Sequence, residues 1–315
     1  MVNQQINTST AVIQQQKKSS AMMKKKLNDY AWAYFMVFPT MAGLIILNIW
    51  PIFQTIYLSF TKYGDFGRTK WIGMGNYVKL FHDTVFLKSM YNTFVYTIGV
   101  VPFGVFLSLV LAVLLNANIK GKTIYRTIYF LPVVSTPAAI AMVWKMLFIT
   151  DYGLLNYVLS LVGINKIQWL TSPKFAIISV IIVGIWSMAG YYMVILLSGL
   201  QEIPKTFYEA ADIDGAGPLY KFFRITIPLV SPTLFFVVVL SLTSSLQVFD
   251  TIFMMFEKKS PVLEDVQSMA YLFYKYGFQM NEKGYASAIV VVLLVIILLI
   301  TAIQLKMQKK WVHYQ

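Results

Sequence analysis

Six apolar runs, each long enough for a helix to cross a bilayer, are separated by segments that carry most of the charges of the chain. They predict spans over about residues 33–58, 91–115, 127–148, 176–199, 233–256 and 286–305. The expected fold class is an all-α integral membrane protein of about six transmembrane helices, filling residues 30–306. Residues 1–29 are rich in Gln, Asn, Ser, Thr and Lys without an apolar period, and read as a disordered tail. They show no secretory-signal pattern, because the apolar run that follows is too long for a signal core. Residues 307–315 form a second short tail.

Within the runs, polar and proline positions single out particular stretches. Tyr30–Thr61 is uncharged over 32 residues and contains Pro39 and Pro51, so its helix is tilted or kinked. A short surface helix is expected around Tyr77–Phe81 in the loop that follows. The third run is broken by Pro132 and Pro137, and Ser135 between them is expected to face inward, where freed carbonyls find partners. Lys145, near the outer end of that run, fits either snorkelling to the interface or a substrate contact. Trp186, Ser187, Tyr191 and Tyr192 sit mid-way in the fourth run. The fifth carries Ser241, Thr243, Ser244, Ser245 and Gln247, followed by Asp250. Such a patch in hydrocarbon calls for a partner helix or water.

Between the fourth and fifth runs lies a polar segment, 201–228, with helical spacing of its own. Phe207 with Ala210 and Ala211, and Leu219 with Phe222 and Phe223, each mark one face of a short helix. Gly215 suits the left-handed turn that ends the first helix, and Pro218 the first turn of the second. The pattern is that of a docking element beside a membrane.

Composition supports lipid as the solvent: 58% of residues are hydrophobic and 12% charged, with a mean hydropathy of +0.65. The net charge of +13 is spread between the runs and at the ends, without the basic stripe of a nucleic-acid-binding face. Lys17, Lys18, Lys24, Lys25 and Lys26 before the first run, and Lys306, Lys309 and Lys310 after the sixth, place both termini in the cytoplasm. No cysteine is present, and His82 and His313 lie far apart, so neither a thiolate nor a metal site is expected. No phosphate-binding glycine loop occurs. The chain is therefore expected to be non-catalytic and to hold no cofactor of its own. Asp250 fits packing, a substrate or gating contact, or a proton relay.

The docking segment carries Glu209, Ala210, Ala211, Gly215, Ile225 and Pro228 at the spacing of a known signature. In this it resembles the integral-membrane permease subunits of ABC importers. Asn92-Thr-Phe-Val-Tyr-Thr97, Arg126 with Phe130-Leu-Pro132, Gly199-Leu-Gln-Glu-Ile-Pro204 and Gln247-Val-Phe-Asp250 make it similar to the carbohydrate-uptake branch, the MalF-like sugar permeases. One departure stands out: Phe256-Glu-Lys-Lys-Ser-Pro261 replaces a Thr-x-Gly-Gly-Pro turn common in that branch. The resemblance implies that 201–228 forms a coupling helix for a separate ATPase, with Tyr208, Glu209, Ala210, Ala211, Asp214 and Gly215 as its coupling residues. It implies as partners a second permease chain, two copies of a cytoplasmic ATPase that uses ATP and Mg, and an extracellular sugar-binding protein. The substrate would be a sugar, an oligosaccharide in the first instance, along a path including Ser135, Trp186, Tyr191, Tyr192, Ser244, Ser245, Gln247 and Asp250. A phosphorylated polyol or other small solute, or a non-transporting scaffold, is the alternative.

Overall fold

A computed structural model describes residues 28–63, 69–117 and 119–311. The expected tail 1–29 therefore lies almost wholly outside the described residues, as does the end of the tail at 312–315. The chain divides into two units, Met1–Tyr57 and Leu58–Gln315.

Helix α1, Asn28–Ser59, is 32 residues long. A π-turn at Ile45–Ile49, in which Trp50 N–H reaches the Ile45 carbonyl, comes directly before Pro51. The wider turn accommodates a residue that has no N–H and whose ring would collide with the preceding turn.

The second unit begins with a small hairpin, β1 (Thr61–Tyr63) antiparallel to β2 (Thr69–Trp71). The surface helix follows as α2 (Gly75–His82). Asn76 Nδ2 donates to the carbonyls of Ser59 and Thr61, both at 2.8 Å, and fixes the hairpin base to α2. Helix α3 (Thr84–Asn116) starts at Asp83, whose carboxylate accepts from Val85 N–H.

Next come α4 (Lys122–Val134) and α5 (Pro137–Leu147), bent 104° to one another. Pro132 is carried inside α4; the break falls at Ser135–Thr136 because the residue before Pro137 is driven into extended backbone. Helix α6 (Leu154–Leu161) precedes the long α7 (Pro173–Gln201). Helix α8 (Lys205–Ile213) leads to α9 (Pro218–Leu246), then α10 (Asp250–Met255), α11 (Leu263–Val266), α12 (Met269–Tyr274) and α13 (Lys283–Trp311). Among the described residues, five helices are long and apolar enough to cross a membrane, or six if the bent α4–α5 pair is one span. The protein is a multi-pass integral membrane protein.

The fifth run departs furthest from the sequence reading, at both ends. The fifth span, expected at 233–256, belongs to a helix that begins at Pro218 and stops at Leu246. Its start is earlier because a π-turn at Phe222–Thr226 again sits just before a proline, Pro228, and lets the helix run through. It stops because Gln247 and Val248 N–H close three-residue turns onto the Ser244 and Ser245 carbonyls.

Three apolar clusters hold the bundle. One joins Phe148, Trp169, Val180, Met255 and Tyr271; a second joins Leu109, Leu196, Leu200, Ile203 and Val230; a third joins Phe86, Leu272, Tyr285 and Ile289. The Asn92–Thr97 stretch is explained by the segment it anchors. Asn92 Nδ2 donates to the Glu264 and Gln267 carbonyls at 3.0 and 3.2 Å, and Met269 N–H donates to Thr93 Oγ1 at 3.0 Å. Ser268 Oγ in turn donates to the Val248 carbonyl at 2.5 Å. The loop 256–268 is thereby pinned to α3 and to the break after α9.

Candidate functional site

A cavity of about 370 Å³ opens where α3, α7, the end of α9 and the start of α10 meet. Helix α7 supplies Gly184, Ser187, Met188 and Tyr191 at helical spacing, so one face of the helix forms a wall. Ser241, Ser244 and Ser245 do the same from α9, and the break beyond it contributes Gln247, Phe249 and Asp250. From α3, Tyr96 reaches across; its hydroxyl fills the space that a side chain at Gly184 would need, 2.4 Å from the nearest point.

The chemistry of this lining is hydroxyl, amide and aromatic. Ser241 and Ser245 donate to the carbonyls of Val238 and Leu242 at 3.0 Å, and Gln247 Nε2 donates to the Thr243 carbonyl at 3.0 Å. Their oxygens stay able to accept from a ligand. Tyr191 and Tyr192 meet edge to face at 5.2 Å, with Tyr191 half-exposed and Tyr192 buried. The charged residue among the lining side chains is Asp250.

Six of the eight expected path residues thus come together: Tyr191, Tyr192, Ser244, Ser245, Gln247 and Asp250. Ser135 and Trp186 do not. Ser135 ends α4 at the bend, outside this cavity, and donates to the Leu131 carbonyl at 2.9 Å. Trp186 lies two residues from Gly184, off the wall-forming face, and its ring meets Trp144 at 5.7 Å. Ser187 and Ser241 were legible from their spacing to Tyr191 and Ser245. Tyr96 was not, because nothing local marks which turn of α3 meets α7. Lys145 lines a separate recess of about 300 Å³ with Glu257 and Lys259, away from the cavity.

The second feature is the segment 201–226. Helix α8 ends in a Schellman turn: Ala216 N–H bonds the Ala211 carbonyl at 2.9 Å and Gly215 N–H the Asp212 carbonyl at 3.1 Å. Gly215 adopts φ +73°, the left-handed conformation that other residues adopt at a cost. A shallow groove of about 590 Å³ follows, lined by Phe207, Ala210, Ala211, Asp214, Gly215 and Tyr220 among others. Glu209 is exposed beside the groove. Tyr208 points the other way, into the bundle, where its hydroxyl lies 3.0 Å from Thr226 Oγ1. Around the groove Ile213, Leu219, Tyr220 and Phe223 are exposed apolar side chains, Ile213 at 88%.

Residues 101–313 match the family described as binding-protein-dependent transport system inner membrane component. The chain belongs to this family. It is a permease subunit of an ABC importer, and its family is a non-catalytic transmembrane component of such systems. The chain is 35% identical over 285 residues to the probable ABC transporter permease protein YesP of Bacillus subtilis (strain 168), covering 90% of this chain and 92% of that one. It is 31% identical to the sn-glycerol-3-phosphate transport system permease protein UgpA of Yersinia enterocolitica, over 90% of this chain and 95% of the relative. A bacterial ABC transporter involved in import of the acidic polysaccharide alginate contains a chain of the same fold, with a TM-score of 0.81 at 24% identity, over 91% of this permease and 98% of that chain. Systems of this type pair the permease with a separate ATPase, and their name states dependence on a binding protein.

Proposed function

We propose that this permease forms half of the translocation path for a neutral sugar, an oligosaccharide in the first instance, and that the cavity at Tyr96, Tyr191 and Ser245 receives it. The observation that carries this reading is the lining itself. Aromatic faces and hydroxyl-matching hydrogen bonds are what a sugar requires, and here they meet in one cavity. The UgpA relatives carry a phosphorylated polyol in their name and the alginate importers an acidic polysaccharide. Both would call for basic side chains, whereas the charged group in this cavity is the Asp250 carboxylate.

The remainder of the path belongs to a second, different permease chain. Two copies of a cytoplasmic ATPase seat α8 and its groove, with Glu209, Ala210, Ala211, Asp214 and Gly215 at the contact, and an extracellular sugar-binding protein delivers the solute. Closure of the ATPases on ATP moves the docked segment, and the helix bundles alternate between inward-open and outward-open.

The test is uptake by the assembled complex in proteoliposomes, carrying Tyr191→Ala, Ser245→Ala or Gln247→Ala. Loss of about one hydrogen bond should weaken apparent sugar affinity by roughly 2–10-fold per variant. Unchanged affinity in all three, or transport of sn-glycerol 3-phosphate in preference to neutral sugars, would refute the assignment.

A further inference from the structure

Four side chains link α8 to the base of α9 across the Gly215 turn. Thr226 Oγ1 lies 3.3 Å from the Lys221 carbonyl, which can only accept, so the threonine donates there. Its oxygen is then the acceptor for Tyr208 Oη at 3.0 Å. The result is a relay, Tyr208 hydroxyl to Thr226 hydroxyl to Lys221 carbonyl. Lys221 Nζ returns the connection by pairing with Asp212 Oδ1. Tyr208 and Asp212 are one helical turn apart and share a face of α8, so the two ties stand side by side.

The location of these ties matters because the chain beside them is a glycine turn held by two backbone hydrogen bonds. Nothing lies within 4 Å of the position a side chain would take at Gly215 or Gly217, so no side-chain packing braces the turn at either glycine. The base of α9 is a π-turn, with Ile227 N–H reaching back to the Phe222 carbonyl. Such a turn is a natural joint in a helix. The Thr226 hydroxyl sits on that joint and is buried, while the half-buried Tyr208 also packs among the apolar residues that join α3, α7 and α9.

We propose that Tyr208, Asp212, Lys221 and Thr226 form a clasp that makes α8 and the base of α9 move as one body. Thrust on the docked helix then enters α9, and the cavity wall at its far end, through the clasp rather than through the Gly215 turn. These are positioning residues, and the inference rests on the coupling role given to α8 above. The Tyr208–Thr226 tie is the stronger of the two, since Asp212 is largely exposed and its ion pair is screened.

The experiment uses the full complex of both permeases and the ATPase in proteoliposomes, and reads solute imported per ATP hydrolysed. Tyr208→Phe and Thr226→Val each keep size and remove one hydroxyl. Each should lower the transport-to-hydrolysis ratio by roughly fivefold, the factor for one buried hydrogen bond, while ATPase still co-purifies. The double variant should be no worse than either single one, because both break the same relay. Wild-type ratios in both single variants would overturn the clasp. A second measurement exploits the absence of cysteine from this chain. Asp212→Cys with Lys221→Cys, bridged by a bifunctional thiol reagent, should leave transport intact; arrest of transport by the bridge would show that the two residues must separate, and would also overturn it. A wild-type complex that binds no ATPase would instead sink the coupling role itself, a distinct readout.

Discussion

Gly190 is the position where one added methyl group tests the packing of the bundle most directly. An ideal Cβ built there stands 1.8 Å from the Tyr129 carbonyl oxygen, 2.7 Å from its carbon and 3.2 Å from the Phe130 Cα. Carbon–oxygen contacts settle near ~3.3 Å, so alanine needs about 1.5 Å more room than exists. The obstacle is the backbone of α4, which has no rotamer to change. Either α4 moves off α7 or α7 bends, and the neighbouring Tyr191 moves with it out of the cavity wall. Overpacking of this kind costs about 1–3 kcal/mol, which for a chain of this size lowers the melting midpoint by about 2–5 °C. The assay is the apparent unfolding midpoint of the detergent-purified protein by tryptophan fluorescence. All proteins are scanned at one rate, because unfolding of such a protein is kinetically controlled. Gly217→Ala is the matched control, since its methyl meets nothing within 4 Å and its φ of −70° suits any residue. A Gly190→Ala midpoint equal to that of Gly217→Ala would refute the claim that α4 and α7 are held at glycine distance.

Two further perturbations probe the loops. Asn156 is buried and saturated: it donates to the Thr150 and Ile167 carbonyls at 2.9 Å and accepts from Ile167 N–H at 3.1 Å and Trp169 Nε1 at 3.0 Å. Asn156→Ala should destabilise the 149–172 loop by about 1–3 kcal/mol, seen as faster proteolysis within it; an unchanged digestion pattern would count against that role. Burial, helped by Asp83 and Glu282, raises the Tyr276 hydroxyl above its usual value of 10.0, and burial with Tyr274 nearby raises Tyr271 likewise. The unfolded chain then loses these protons first as pH rises, so their contribution is constant below pH 10 and falls above it. Tyr276→Phe should flatten part of that alkaline loss, and an identical pH profile would refute the assignment.

Much of the architecture was legible because lipid imposes a length and a composition on whatever crosses it. The apolar runs mark helices, Pro137 marks the break after Thr136, and Gly215 marks the end of α8, each through a local rule of backbone chemistry. The polar patch of the fifth run stood out in the sequence as a group, and its Ser244, Ser245 and Gln247 line one cavity with Tyr191 and Tyr192. What misled was counting apolar residues across a helix break. Gln247–Phe249 interrupts the helix while the hydropathy stays high, so the fifth run appeared to continue to 256. Ser135 lies outside the cavity because the 104° bend carries α5 off in another direction, a tertiary feature that its local sequence does not mark.

Sequence by itself therefore determined the solvent, the helices, the signature at Glu209–Pro228 and the family to which they belong, because each depends on residues close along the chain or on spacing within one helix. Only tertiary structure decided which faces meet. Tyr96 enters the cavity because α3 and α7 approach at Gly184, and Tyr208 turns inward because Thr226 lies across a loop from it. Those choices are made between helices distant in sequence, where van der Waals fit and unsatisfied hydroxyls rather than local pattern select the partner.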